Sequence, residues 1–311
     1  MPDTDGSLDS EVAQAARPAP RGLTPRTTLI LACLFLMCAT GAAAQQPLVS
    51  EKPPATPEFF SRFDFHLNAA WLGLTSSAPT SPAAPSPVAT SPAAAAAYAA
   101  DHRYSFDTHW GGSLDFVDYV VGRTSFIIDY EAILGDEFRL FDPNQGIYTL
   151  EAASSARVGD AEVVGIFHHT SRHLADRANQ QAVAWNAAGV RFLKRVTREA
   201  TTIDVDAELS GVVAKAFVDY TWIGELHLLV RHPLSERVGV FAQGSGKLFA
   251  VDGTVPNRGT QTGGVVEVGV HLKGTGGALE LFAGFEKRVD AYELERDSQR
   301  WLLAGFRLLS R

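Results

Sequence analysis

From about residue 109 to its end, the chain is built of short runs in which apolar and polar residues alternate. In the run Thr202-Ile203-Asp204-Val205-Asp206-Ala207-Glu208-Leu209-Ser210, Ile203, Val205, Ala207 and Leu209 fall on one face and Asp204, Asp206 and Glu208 on the other. A period of two makes a strand with one oily and one charged face. In a soluble sandwich the oily face would meet a core. Behind an export signal the same pattern predicts a barrel whose oily face meets lipid.

Residues 1–44 read as such a signal. A polar leader with Arg17, Arg21 and Arg26 precedes an almost wholly apolar segment from Leu29 to Cys38, and Ala42-Ala43-Ala44 before Gln45-Gln46 forms a small-residue cleavage site. Both cysteines, Cys33 and Cys38, fall in the segment to be removed, which leaves the mature chain with neither a disulfide framework nor a thiolate metal site. After residue 44 no apolar run approaches the ~20 residues a membrane helix needs. A membrane location for this part therefore implies a closed barrel, because lipid cannot satisfy open backbone edges. The expected address is the outer membrane of a Gram-negative bacterium. A formal charge of −8 leaves no basic stripe for nucleic acid.

Residues 45–61 are expected to form a Pro-rich periplasmic leader and 62–311 the barrel, interrupted at 75–100 by an Ala/Pro/Ser/Thr tract without periodicity. The predicted fold is an all-β, transmembrane, antiparallel up-and-down barrel of about twelve strands. Its strands are placed at 62–74, 109–120, 123–134, 147–158, 161–173, 185–197, 201–213, 217–231, 236–250, 261–273, 277–290 and 300–310. Tight links such as Val121-Gly122, Gly159-Asp160 and Gly274-Thr275-Gly276 alternate with longer ones, as periplasmic turns alternate with external loops. Period two assigns outward sets Phe126/Ile128/Tyr130/Ala132, Tyr220/Trp222/Leu226/Leu228, Val266/Val268/Val270/Leu272 and Leu279/Leu281/Ala283/Phe285. It points Asp129, Glu131, Glu225, His227, Glu267, His271, Glu280, Glu286 and Arg288 into the lumen, with Arg191, Arg231 and Lys247 as balancing cations. A lumen so crowded with charge reads as plugged by salt bridges and water.

One segment breaks the pattern: Phe167-His168-His169-Thr170-Ser171-Arg172-His173-Leu174-Ala175-Asp176. His169, Ser171 and His173 share a face, and a spacing of two sets the His169 ring beside the Ser171 hydroxyl, the pairing a serine nucleophile needs from its base. Asn186, at the start of the next run, is positioned to orient that imidazole. From the Gly159-Asp160 turn to Ser171 the strand climbs roughly 26 to 28 Å, to the outer edge of the ~25 Å apolar band. Two facings of this strand are almost equally apolar. One puts Val163, Gly165, Phe167, His169 and Ser171 toward lipid, the other Val164, Ile166 and His168.

His169-Thr170-Ser171 followed by Trp185-Asn186 is similar to the His-x-Ser and later Asn of the outer-membrane phospholipase A family. The stretch also resembles an uncharacterised family of bacterial outer-membrane barrels with a His-x-Ser-x-His-Leu-Gly-Asp signature, matched here by His169, Ser171, His173, Leu174 and Asp176. The phospholipase resemblance implies a twelve-stranded barrel with an outward Ser-His-Asn triad at the outer leaflet: Ser171 as nucleophile, His169 as base and Asn186 as orienter. It also implies calcium assisting the oxyanion hole, with Asp176 as a candidate ligand; a homodimer is a further candidate assembly. Arg172-His173 stand where that family has Asn-Gly.

Two function classes follow. The first is a serine esterase of phospholipid or lipid A acyl chains, a phospholipase A or lipid A deacylase-like hydrolase. The second is a non-enzymatic envelope barrel, either a narrow channel or a lipopolysaccharide-contacting structural protein. Outer-membrane lipids, and the barrel-assembly machinery during insertion, are the expected partners of both. A metal site built from His168, His169 and His173 is disfavoured, because His168 points away from the other two on a strand.

Overall fold

The alternating runs form the strands of one closed sheet. The computed structural model describes residues 53–74, 102–174, 181–292, 294 and 296–310. Along them lie β1 (Glu58–Leu74), β2 (Phe106–Asp118), β3 (Arg123–Gly135), β4 (Asp142–Val158), β5 (Ala161–Leu174), β6 (Val183–Arg198), β7 (Thr201–Ala216), β8 (Tyr220–Pro233), β9 (Val238–Val251), β10 (Gln261–Lys273), β11 (Ala278–Arg288) and β12 (Gln299–Leu309). Each pairs antiparallel with its sequence neighbours, and β1 completes the ring by pairing with β12, from His66 opposite Leu309 to Leu74 opposite Trp301. The expected signal peptide at 1–44, the tract at 75–100 and Asp176 lie outside the described residues.

The strands match the sequence pattern with small shifts. β1 begins at Glu58, inside the expected leader, and β4 begins at Asp142 rather than 147. β7 runs to Ala216, so the link to β8 is only 217–219. At the opposite end, the two-residue turn Gly159-Asp160 joins β4 to β5, and Gly159 takes the left-handed φ of 62° that such hairpins favour.

Facing follows the alternation. Phe126, Ile128, Trp222, Leu226, Val268 and Leu281 are exposed on the outside, as a lipid-facing belt requires. Tyr220 departs from its expected set. It is 2% exposed and its hydroxyl donates to Asp290. A register shift between Tyr220 and Trp222 breaks the alternation there and turns the ring inward.

Inside, arginines bridge carboxylates from different strands. Arg123 holds Asp115 at 2.8 Å and Glu162 at 2.9 Å. Arg191 holds Glu151 and Glu208, each at 2.7 Å. Arg307 holds Glu267 at 2.8 Å and Glu280 at 2.9 Å. These side chains are buried, and so are the apolar Val164, Ile166, Leu193 and Ala153, which pack together on the inner wall. A closed sheet with an oily outside and a charged, filled inside is a barrel of the bacterial outer membrane.

Adjacent residues on β6 test this division. Arg191→Met strands Glu151 and Glu208 in the lumen and is expected to cost about 3–5 kcal/mol. Val190→Arg places a charge in the middle of the lipid-facing wall and is expected to cost about 2–4 kcal/mol. Urea unfolding in phospholipid vesicles measures both. A neutral Val190→Arg would contradict the outward facing.

Candidate active site

Along β5 the choice between the two facings is resolved by exposure. Val163 is 43% and Phe167 47% exposed, whereas Val164 and Ile166 are buried. The odd-numbered residues therefore look outward, and His169, Ser171 and His173 stand on the lipid side of the wall.

Register brings the next strand to them. His169 lies opposite Asn186 on β6, and its Nδ1 is 2.7 Å from Asn186 Oδ1. An amide oxygen at this distance accepts from Nδ1–H, which leaves Nε2 as the basic nitrogen. Asn186 continues the outward face of Ala188, Val190 and Phe192, so an amide on an otherwise apolar wall finds its partner in the His169 ring.

Ser171 takes a different partner from the one the spacing suggests. Its Oγ is 2.8 Å from Nε2 of His173. His169 and His173 flank Ser171 symmetrically, two residues before and two after, and period two cannot choose between them. The structure thus joins His169 to Asn186 and Ser171 to His173, four outward side chains in two hydrogen-bonded pairs. The involvement of His173 is what the sequence reading of the triad missed.

An aromatic row runs beside the serine. Ser171 lies opposite Tyr148 on β4, Tyr148 opposite Tyr130 on β3, and Tyr130 opposite Trp110 on β2. The rings touch in sequence: Trp110 and Tyr130 at 5.2 Å, Tyr130 and Tyr148 at 4.7 Å, and Tyr148 and the edge of His173 at 5.7 Å between centroids. A row of Trp and Tyr on the outside of a barrel marks the membrane interface. Ser171 adjoins this row through Tyr148, on the outer wall.

The intervening residues face the other way. His168 turns inward, with Nδ1 3.7 Å from Glu208 Oε1, so His168, His169 and His173 do not form one metal site. Arg172 also turns inward and donates to Gln145 Oε1 at 3.1 Å and to the Ala291 carbonyl at 3.4 Å. Both ladders of β5 extend past Ser171, which commits its backbone to strand pairing. Calcium, implied by the family resemblance, requires a cage of oxygen ligands. The outward neighbours of Ser171 are Tyr148, His173, Ala184 and His169, and among the described residues they bring no carboxylate. The described residues do not fit calcium at this serine.

No protein-family model matches the chain, and no curated protein sequence matches it. Several solved structures align with most of the chain. Outer membrane phospholipase A from Escherichia coli aligns with a TM-score of 0.44 and 12% identity over 79% of this chain and 92% of that one. LpxR from Salmonella typhimurium aligns with a TM-score of 0.43 and 10% identity over 79% and 99%. The translocator domain of the autotransporter NalP from Neisseria meningitidis aligns with a TM-score of 0.35 and 11% identity over 80% and 88%.

The facing of β5 has a direct test. Single cysteines at positions 169 to 173, carrying nitroxide labels in a chain without Cys33 and Cys38, are expected to show high oxygen accessibility at 169, 171 and 173 and low accessibility at 170 and 172. An inverted pattern would move the serine into the lumen.

Proposed function

We propose that this barrel is a serine esterase that cleaves acyl esters of outer-leaflet lipids, phospholipid or lipid A, at Ser171. The observation that carries the reading is the His169 Nδ1 to Asn186 Oδ1 bond on the lipid-facing wall. An imidazole held by an amide stands on this face. It is what a general base requires, a fixed tautomer with its second nitrogen free.

In this mechanism Ser171 Oγ attacks the ester carbonyl and its proton passes to an imidazole. The tetrahedral intermediate collapses to an acyl-serine, and the lysolipid alcohol leaves with that proton. Water, deprotonated by the same imidazole, then releases the fatty acid. Because the serine backbone is paired, side chains have to meet the oxyanion. The base is His169, reached when the Ser171 side chain rotates away from His173. A second assignment has its own support: His173 Nε2 is already 2.8 Å from Oγ, which makes His173 the base and His169–Asn186 a supporting pair.

Assay of the refolded barrel on phospholipid and lipid A in mixed micelles separates these readings. Ser171→Ala is expected to lower ester cleavage by roughly 10³-fold or more. If His169 is the base, His169→Ala loses roughly 10²- to 10⁴-fold while His173→Ala loses far less; the reverse order assigns His173. Asn186→Ala is expected to fall between wild type and His169→Ala. A folded wild type inert on both lipids would leave these side chains as headgroup contacts of a structural barrel.

A further inference from the structure

A second cluster lies on the inner wall, on the inward faces of the two strands whose outward Trp110 and Tyr130 begin the aromatic row. On β2 and β3, His109 stands directly opposite Glu131, and Asp107 is two residues further along β2 on the same inward face. His109 Nε2 is 3.2 Å from Asp107 Oδ1 and 3.9 Å from Glu131 Oε1. The three side chains are 5%, 4% and 14% exposed for His109, Asp107 and Glu131. We propose that Asp107, His109 and Glu131 bind a divalent transition-metal ion, zinc by its chemistry, inside the barrel.

Three observations support the assignment. First, Asp107 Oδ1 and His109 Nε2 are both buried without a hydrogen-bond partner, although they lie only 3.2 Å apart. An ion pair would align the ring N–H on the carboxylate oxygen. Two donors aimed at a shared point between them need not align. Ligands about 2.0–2.1 Å from a tetrahedral zinc stand about 3.3 Å apart, which the Asp107–His109 spacing already matches. Glu131 has to close by roughly half an ångström.

Second, the other ring nitrogen has the partner a metal-bound histidine uses. His109 Nδ1 is 3.4 Å from Asp129 Oδ2, and Asp129 Oδ1 is in turn 2.8 Å from His66 Nε2. A carboxylate on Nδ1–H fixes the tautomer that presents the Nε2 lone pair to a metal.

Third, the cluster carries more negative than positive charge. Asp107, Glu131 and Glu286 share one guanidinium, that of Arg288, and Asp129 faces two histidines. Glu286 Oε2 is itself buried without a partner. Three buried carboxylates and the partly buried Glu131 against one arginine call for further positive charge, and a dication supplies it. One imidazole and two carboxylates, with a water as fourth ligand, form a zinc donor set; calcium would want six to eight oxygens. Arg288 donates to Asp107 at Oδ2, so Oδ1 stays open to the ion, and to Glu131 at Oε1, an oxygen that the guanidinium and the ion would share.

The test uses the full refolded barrel, stripped with chelator, dialysed against zinc and analysed for metal by mass spectrometry. Cobalt substitution provides the coordination spectrum. Heat-modifiable migration on a gel confirms that each variant is folded. One zinc per barrel is expected in the wild type, lost in His109→Gln and in Asp107→Asn, with a tetrahedral cobalt spectrum. Asp129→Asn is expected to weaken binding 10- to 100-fold. Either variant is sufficient if the other fails to fold. A folded wild type that retains no zinc overturns the proposal and leaves a protonated His109 as the countercharge. Zinc retained by a folded His109→Gln barrel overturns it as well. Neither result bears on Ser171.

Discussion

Hydrocarbon offers nothing to a peptide N–H or carbonyl, and this constraint governs the rest of the molecule. A sheet in such a medium has to leave no edge, which the pairing of β1 with β12 achieves. Once the sheet is closed, alternation sends every second side chain into a narrow enclosed space. Carboxylates placed there have to meet cations on other strands, and Arg123, Arg191 and Arg307 each bridge two of them. Such pairs are poor sources of net stability compared with a packed apolar core. They do discriminate strongly against misregistered sheets, because a slip of one residue would bring each arginine's partners to the lipid face.

The candidate site depends on that same register. His169 meets Asn186 only because β5 and β6 align them, and Ser171 reaches the aromatic row only because β4 sets Tyr148 opposite it. Four residues distant in sequence or separated by oppositely facing neighbours are gathered by backbone hydrogen bonding, without any dedicated loop. In the proposed esterase the wall of the barrel is both scaffold and catalytic surface. Its chemistry faces the lipid, while the residues between, Thr170 and Arg172, belong to the interior.

Much of this was legible in the amino-acid sequence because strand periodicity is local. The twelve strands, the Gly159-Asp160 turn and the inward acids such as Glu267 and Glu280 all follow from a period of two. Tyr220 did not follow, since a bulge shifts the period without leaving a mark in composition. The facing of β5 was undecidable for a different reason. Val164 and Ile166 are as apolar as Val163 and Phe167 because the inner wall there carries its own small apolar cluster. The partner of Ser171 was ambiguous by symmetry, with a histidine on each side. The row from Trp110 through Tyr130 to Tyr148 is spread over three strands and becomes visible only when they are laid in register.

The filled interior also has a meaning for the cell that carries it. An outer membrane protects only as long as solutes cannot leak through its proteins. Guanidinium and carboxylate groups paired across the lumen narrow the space left to solutes, so a barrel of this kind presents its outer wall to the membrane rather than a wide pore.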